Sequence, residues 1–329
     1  MRAFTNANPR DLAHALTVIR EAQSKGQQAS IAGGGSDLLG MIKERIENPD
    51  VLVNLKSIQG LDHIAVEKSG LKLGGLTTLD SISRNQTIRR DYTVLAEAAD
   101  TVATPQIRNV GTIAGNVAQR PWCWYYRNGF PCFKAGGKQC FSINGENQFH
   151  AIFGGGPSFI VHPSDTAPAL VALDAKFHIT GPKGTRTVSA TDFFILPRQN
   201  AARENVLAAD EILTSIEIPT PRRGTRSTYH KVMDREAWTH ALVSAAIVLE
   251  MDKDVCRRAT IVLGGVAPIP WRVPEAEKLL TGRRITPDLA AQAAEQAIAG
   301  ATPLAKNAYK LPLTKNVVRR TVLDLAQRG

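Results

Sequence analysis

Residues 32–39 read AGGGSDLL, and residues 104–117 read TPQIRNVGTIAGNV. In the first, three consecutive glycines follow an apolar, strand-like stretch at 28–32. Glycine tolerates φ > 0 and carries no Cβ, so such a turn lets a ligand approach the backbone closely. Successive backbone N–H groups in a turn of this kind form a nest suited to a diphosphate. The spacing is neither a G-x-G-x-x-G fingerprint nor a Walker loop. The second stretch brackets Thr112 between Gly111 and Gly115, with Asn109 and Asn116 close by. Each alone reads equally well as a plain turn. Together, about 75 residues apart, they suggest two sides of one dinucleotide site.

The rest of the chain fits a folded protein of more than one domain. It has 329 residues, 43% hydrophobic and 21% charged, which is ordinary for globular proteins. There is no run of about 18 apolar residues, so no membrane span is expected. The N-terminus lacks an apolar signal core and reads as a helix over 9–21. The expected compartment is the cytoplasm, or the periplasm if a signal-bearing partner carries the chain. A net charge of +10 raises nucleic acid as a partner, but the basic residues are scattered and no nucleic-acid motif accompanies them. No nucleic-acid partner is therefore expected.

Strands are expected at 51–58 and 71–79, a helix at 91–103, and a strand entering a helix over 159–175. From about residue 178 the texture changes to short β-like pieces, and helices close the chain. Residues 237–252 read as either helix or strand.

A third segment, PWCWYYRNGFPCFKAGGKQCF (121–141), holds three of the four cysteines. Cys123, Cys132 and Cys140 are separated by eight and seven residues. A disulfide leaves one thiol over, and zinc sites usually open with a tighter pair. Iron–sulfur ligands are spaced more variably. No acidic residue occurs between Asp100 and Glu146, while Arg108, Arg120, Arg127, Lys134 and Lys138 do. That gap suggests a segment surrounding something anionic. Trp122, Trp124, Tyr125 and Tyr126 read chiefly as packing.

With these motifs in hand, IAGGGSDLL, QIRNVGTIAGN and HPSDTAPALVALDA (162–175) resemble the three FAD-binding segments of the flavin-carrying medium subunits of molybdenum hydroxylases, the xanthine dehydrogenase and aldehyde oxidoreductase family. YHKVMDREAWTHALVSAA, GGVAPIPWRVPEAEKLLTG and PLAKNAYK resemble that family's terminal domain, so the likeness spans nearly the whole chain. The resemblance implies an α+β fold: a vanillyl-alcohol-oxidase-like (PCMH-type) FAD domain of two lobes, 1–57 and 58–177, then a domain of antiparallel sheet and helices over 178–329. It implies an oxidoreductase subunit that relays electrons from [2Fe–2S] clusters to FAD and on to an external acceptor. A large molybdenum-cofactor subunit and a small [2Fe–2S] subunit are the implied partners. Substrate oxidation, of aldehydes or related compounds, then occurs on another chain. A self-contained flavoprotein oxidase is the alternative reading.

By matching positions, Ala32, Gly33, Gly34, Gly35, Ser36, Asp37 and Leu38 hold the diphosphate from one side. Gly111, Thr112, Gly115 and Asn116, with Thr104, Ile107 and Asn109 leading in, hold it from the other. Asp165 hydrogen-bonds the FAD, at a ribose hydroxyl. Ala114 stands where many relatives carry glycine, which places a methyl group near the phosphates.

The thiol segment resembles the loop, here 119–158, on which some members carry an extra [4Fe–4S] cluster. Those members supply a fourth cysteine where this chain has Ser158. Four outcomes stay open: ligation by Ser158, a three-iron cluster, substitution by His150 or His162, or a loop that has lost its cluster.

Overall fold

The computed structural model describes residues 2–327. Chain entry is set by Asp11, whose Oδ1 accepts from the His14 N–H at 2.7 Å and caps a helix. Three parallel strands, β1 (Thr5–Ala7), β2 (Ala29–Ala32) and β3 (Val51–Asn54), lie in the order β1-β3-β2. Helix α1 (Leu12–Ser24) buries Ala15, Leu16 and Ile19 with Val53 and Leu55, and α2 (Leu38–Lys43) follows the glycine turn. Crossing from β2 to β3 through a short helix leaves that turn at the C-terminal end of a parallel strand. Ligands commonly bind there.

A second unit begins with β4 (Ile64–Glu67) and β5 (Gly70–Gly74). It continues through short helices α3 (Leu79–Arg84), α4 (Gln86–Asp91), α5 (Thr93–Asp100), α6 (Pro105–Val110), α7 (Ile113–Ala118), α8 (Trp124–Arg127) and α9 (Thr166–Ala172). Then come β6 (Lys176–Gly181), β7 (Gly184–Ser189), α10 (Ala190–Phe193) and β8 (Ile212–Pro219). The antiparallel sheet runs β4-β5-β8-β6-β7, with Leu71 opposite Ile218 and Leu73 opposite Ile216 in its buried core. The expected division at 177/178 therefore falls inside a sheet. Strand β8 slots between β5 and β6, and the change of sheet comes after Pro219.

The last sheet runs β12-β11-β10-β9, from β9 (Thr225–Val232), β10 (Val243–Asp252), β11 (Val255–Gly264) and β12 (Trp271–Arg272), with β13 (Arg283–Arg284) pairing the far end of β11. Helices α11 (Pro274–Leu280), α12 (Pro287–Ala297) and α13 (Lys310–Gln327) cover one face. The ambiguous segment is thus strand β10. Every residue from Val243 to Leu249 is buried, which erased the alternation that marks a strand. Residues 159–163 form no strand; they run irregularly into α9.

Strand β9 joins the two parts. Glu97 on α5 accepts from the Thr228 hydroxyl at 2.7 Å and the Tyr229 N–H at 2.8 Å. The Val94 N–H donates to Ser227 Oγ.

Candidate functional site

A cleft of about 620 Å³ opens where the first turn, the second turn, the thiol loop and the C-terminal sheet meet. Ligand clefts commonly span roughly 300–1,000 Å³. Its walls include Ala32 to Leu38, Ile107, Gly111, Thr112, Gly115, Asn116 and Asp165, all expected from sequence. Thr104 and Asn109 are not in the wall. Thr104 Oγ1 instead caps α6 by accepting from the Ile107 N–H, and Asn109 lies exposed on that helix.

The two glycine turns do not face each other across a gap; they touch. A Cβ on Gly33 would stand 2.8 Å from Thr112 Oγ1, and one on Gly34 would collide with the Val110 carbonyl and Gly111. These glycines are required by loop-on-loop packing as much as by any ligand. Only Gly35, at φ +75°, uses glycine's conformational freedom.

Nor are the two turns equivalent as donors. Among the described residues, no protein acceptor meets the N–H groups of Gly34, Gly35, Ser36 and Asp37. Orphan donors grouped at a helix entrance suit an anion. In the second turn, the Ile113 N–H donates to Thr77 O, Ala114 to Gly75 O and Gly115 to Thr112 Oγ1. Those three N–H groups are already satisfied; the Thr112 N–H, which meets no protein acceptor among the described residues, and side chains remain. Asn116 Oδ1 accepts from Ser164 Oγ at 2.5 Å and Thr166 Oγ1 at 2.6 Å, which leaves the amide NH₂ for a ligand. The Ala114 methyl packs toward Gly75 and the core and is not in the cleft wall, so it does not crowd the site.

Asp165 is buried, and both its oxygens are engaged by β9. Tyr229 Oη donates to Oδ1 at 2.7 Å, and Lys231 Nζ donates to Oδ2 at 2.8 Å. Burial, then the adjacent carboxylate, raise the Tyr229 phenol well above its ordinary value, so it stays a donor. A carboxylate has lone pairs left for one further donor, so a ligand hydroxyl still fits.

Sequence reading missed the wall contributed by the C-terminal part: Asp234, Arg235, Trp238, Thr239, His240 and Ala241, between β9 and β10. Their only signal was the motif at 229–246, which carries no spacing rule of its own. His162, which sequence reading named only as a possible substitute cluster ligand, is buried in the wall, and its Nδ1 accepts from the Ser164 N–H. Burial lowers its pKa to about 3, so it is neutral at physiological pH.

The thiol loop packs beside the cleft. Cys123 and Cys132 cluster with Met41, Tyr126 and Phe141, and only Cys123 of the three thiols reaches the cleft. All four cysteines are free. Cys140 Sγ lies 3.0 Å from Ser142 Oγ, and Cys123 Sγ lies 3.3 Å from His150 Nε2. Burial, then the neighbouring thiols, push the Cys123 thiol up to about 11. Burial, then the Lys310 charge, lower His150 to about 4. Ser158 is buried, but no hydrogen bond joins it to a thiol among the described residues. Among those residues, no three His, Cys, Asp or Glu side chains are grouped to hold one metal ion.

Three basic residues of the loop are paired with carboxylates. Arg127 Nη2 donates to Asp37 Oδ1 at 2.7 Å, Lys134 Nζ stands 2.7 Å from the buried Glu204, and Arg120 pairs Glu204 at 3.2 Å. Their partners lie outside the acid-free gap, which is why composition misled. Trp124, Tyr125, Phe130, Phe141 and Phe149 pack on one another through edge contacts and one stack.

Residues 2–221 match the family described as FAD binding domain in molybdopterin dehydrogenase, and 228–325 match the CO dehydrogenase flavoprotein C-terminal domain. The chain is 34% identical over 302 residues to the aldehyde oxidoreductase FAD-binding subunit PaoB of Escherichia coli, covering 90% of this chain and 91% of that one. It is 28% identical over 287 residues to the nicotinate dehydrogenase FAD-subunit of Eubacterium barkeri, covering 87% and 82%. In structure it is similar to reconstituted CO dehydrogenase from Oligotropha carboxidovorans, with TM-score 0.79, 25% identity and 100% and 99% coverage. These likenesses, spanning both domains, favour a complex subunit over a self-contained oxidase: the chain belongs to the FAD-binding subunits of the molybdenum hydroxylases, oxidoreductases built from several chains.

Proposed function

We propose that the cleft between the glycine turns and β9–β10 holds FAD, with its diphosphate on the N–H groups of residues 34–37. The acceptor-free donors of that turn are the observation that carries this reading. FAD, when bound, supplies the change between one- and two-electron carriers. The chain's own residues do the rest. Asn116 offers its amide to the diphosphate, and Asp165 receives a ribose hydroxyl while Tyr229 and Lys231 fix its position. The C-terminal wall at 234–241 shields the ring system from water.

In this reading, electrons arrive from a small [2Fe–2S] subunit, after substrate oxidation on a large molybdenum-cofactor subunit, and leave to an external acceptor. The likeness to PaoB supports aldehydes as the substrate class. The thiol loop binds an iron–sulfur cluster, [4Fe–4S] or three-iron, through Cys123, Cys132 and Cys140, with Ser158 as the candidate fourth ligand. Three free thiols on one loop, with no acidic residue between them in sequence, are the ligand type such clusters take.

Flavin, iron and sulfide content of the purified chain test both cofactors, together with EPR after dithionite. FAD near one per chain supports the first claim, and bleaching by an aldehyde without partner chains would favour an oxidase instead. Iron at background would sink the cluster. An EPR signal unchanged by Ser158→Cys argues against ligation by serine.

A further inference from the structure

We propose that Arg127 of the thiol loop is a positioning residue of the flavin site, acting through Asp37 to let the glycine turn accept a diphosphate. The inference rests on the placing of the diphosphate at residues 34–37.

That turn contains a contradiction. Four N–H groups await an anion, yet the Asp37 carboxylate sits in the same cleft wall. An unpaired carboxylate there repels a diphosphate, and the repulsion grows as water is excluded. Asp37 does not use its charge to cap α2, although it occupies the capping position; its side chain makes no hydrogen bond to that helix. It turns instead to the start of the thiol loop. Arg127 Nη2 donates to Oδ1 at 2.7 Å, and the Arg120 N–H donates to Oδ2 at 3.1 Å.

Arg127 is held in place for this pairing by its own loop, with Glu44 farther off at 3.9 Å from Nη1. Its side chain is 5% exposed. Nε donates to Pro121 O at 3.0 Å, Nη2 also donates to Arg120 O at 3.1 Å, and the guanidinium lies 4.3 Å above the Trp122 ring. Trp122 in turn lines the cleft. A planar guanidinium serves these directions at once, and a lysine ammonium does not. The loop thus supplies the counter-charge of the flavin turn whether or not its thiols carry metal.

The test is FAD binding to the flavin-stripped full chain, followed by quenching of flavin fluorescence, for wild type, Arg127→Gln and Asp37→Asn/Arg127→Gln. Arg127→Gln is expected to weaken FAD binding by on the order of tenfold, within the usual range of couplings between a site and a residue acting on it. The double variant, lacking the carboxylate that needed neutralising, is expected to recover most of that loss. Repair of a structural pair also gives recovery, so binding of riboflavin, which lacks the diphosphate, is measured in parallel. It is expected to be equal across the three proteins, and a riboflavin loss matching that for FAD overturns the inference. Wild type that binds no FAD overturns the flavin placing and this inference with it. Equal binding by wild type and Arg127→Gln overturns the inference alone, as does a double variant no better than the single.

Discussion

Lys310 is fully buried, and its Nζ donates to three carbonyl oxygens: Phe149 at 3.1 Å, His150 at 3.2 Å and Gly265 at 2.6 Å. Three acceptors suit an ammonium, while burial opposes the charge and lowers the pKa to about 7. The unfolded chain, with its ordinary lysine value, binds the proton more tightly between pH 7 and about 10.5. The penalty is therefore full below pH 7 and is relieved as pH rises. Chemical denaturation at pH 7 and 9 should show wild type gaining on Lys310→Met, by at most about 1.4 kcal/mol per pH unit. At pH 7 the substitution should still destabilise by about 1–3 kcal/mol, because carbonyls lose their donor. Gly34 makes a sharper residue-level case. Gly34→Ala drives a methyl into the Val110 carbonyl, so thermal melts should show a loss of about 1–3 kcal/mol, and bound flavin should fall with it. The glycines were legible in sequence; their reason was not, because the partner backbone lies more than seventy residues along the chain.

At the scale of elements, β9 carries the junction between the domains. Its Lys231 pairs with Asp165, the two side chains 1% and 5% exposed. Removing one member of such a pair strands the other charge in the interior. Asp165→Ala should cost about 3–5 kcal/mol in equilibrium unfolding. Lys231→Met/Asp165→Leu should recover part of that loss, though not the flavin. Sequence reading placed most helices and strands because their patterns are local. It left β10, buried on both faces, open between helix and strand, and it put the division near 178 inside a sheet, since β8 joins β5 across the intervening helices and β6–β7. Pairing between distant strands leaves no periodicity to read.

For the whole molecule, the cleft is walled by both domains, so ligand binding and global stability are linked. FAD at one hundred times its dissociation constant should stabilise the chain by about 2.7 kcal/mol, seen as a calorimetric shift that vanishes in flavin-free protein. Composition said little at this scale. The +10 charge is real, but Arg120, Arg127 and Lys134 are neutralised by acids from other segments. A motif set spread over both domains said far more than charge, because it recorded which distant loops meet.

The segment just before and into α13 grips the thiol loop. The Lys306 N–H donates to Asn147, Asn307 Nδ2 donates to the His150 and Ala151 carbonyls, and Lys310 adds the three bonds described above. On the ribosome, the loop emerges long before this grip exists, since chains appear from the N-terminus onward. Until α13 leaves the exit tunnel, the loop waits without its clasp. Order of synthesis thus sets a time window: maturation of this region belongs after α13 has emerged.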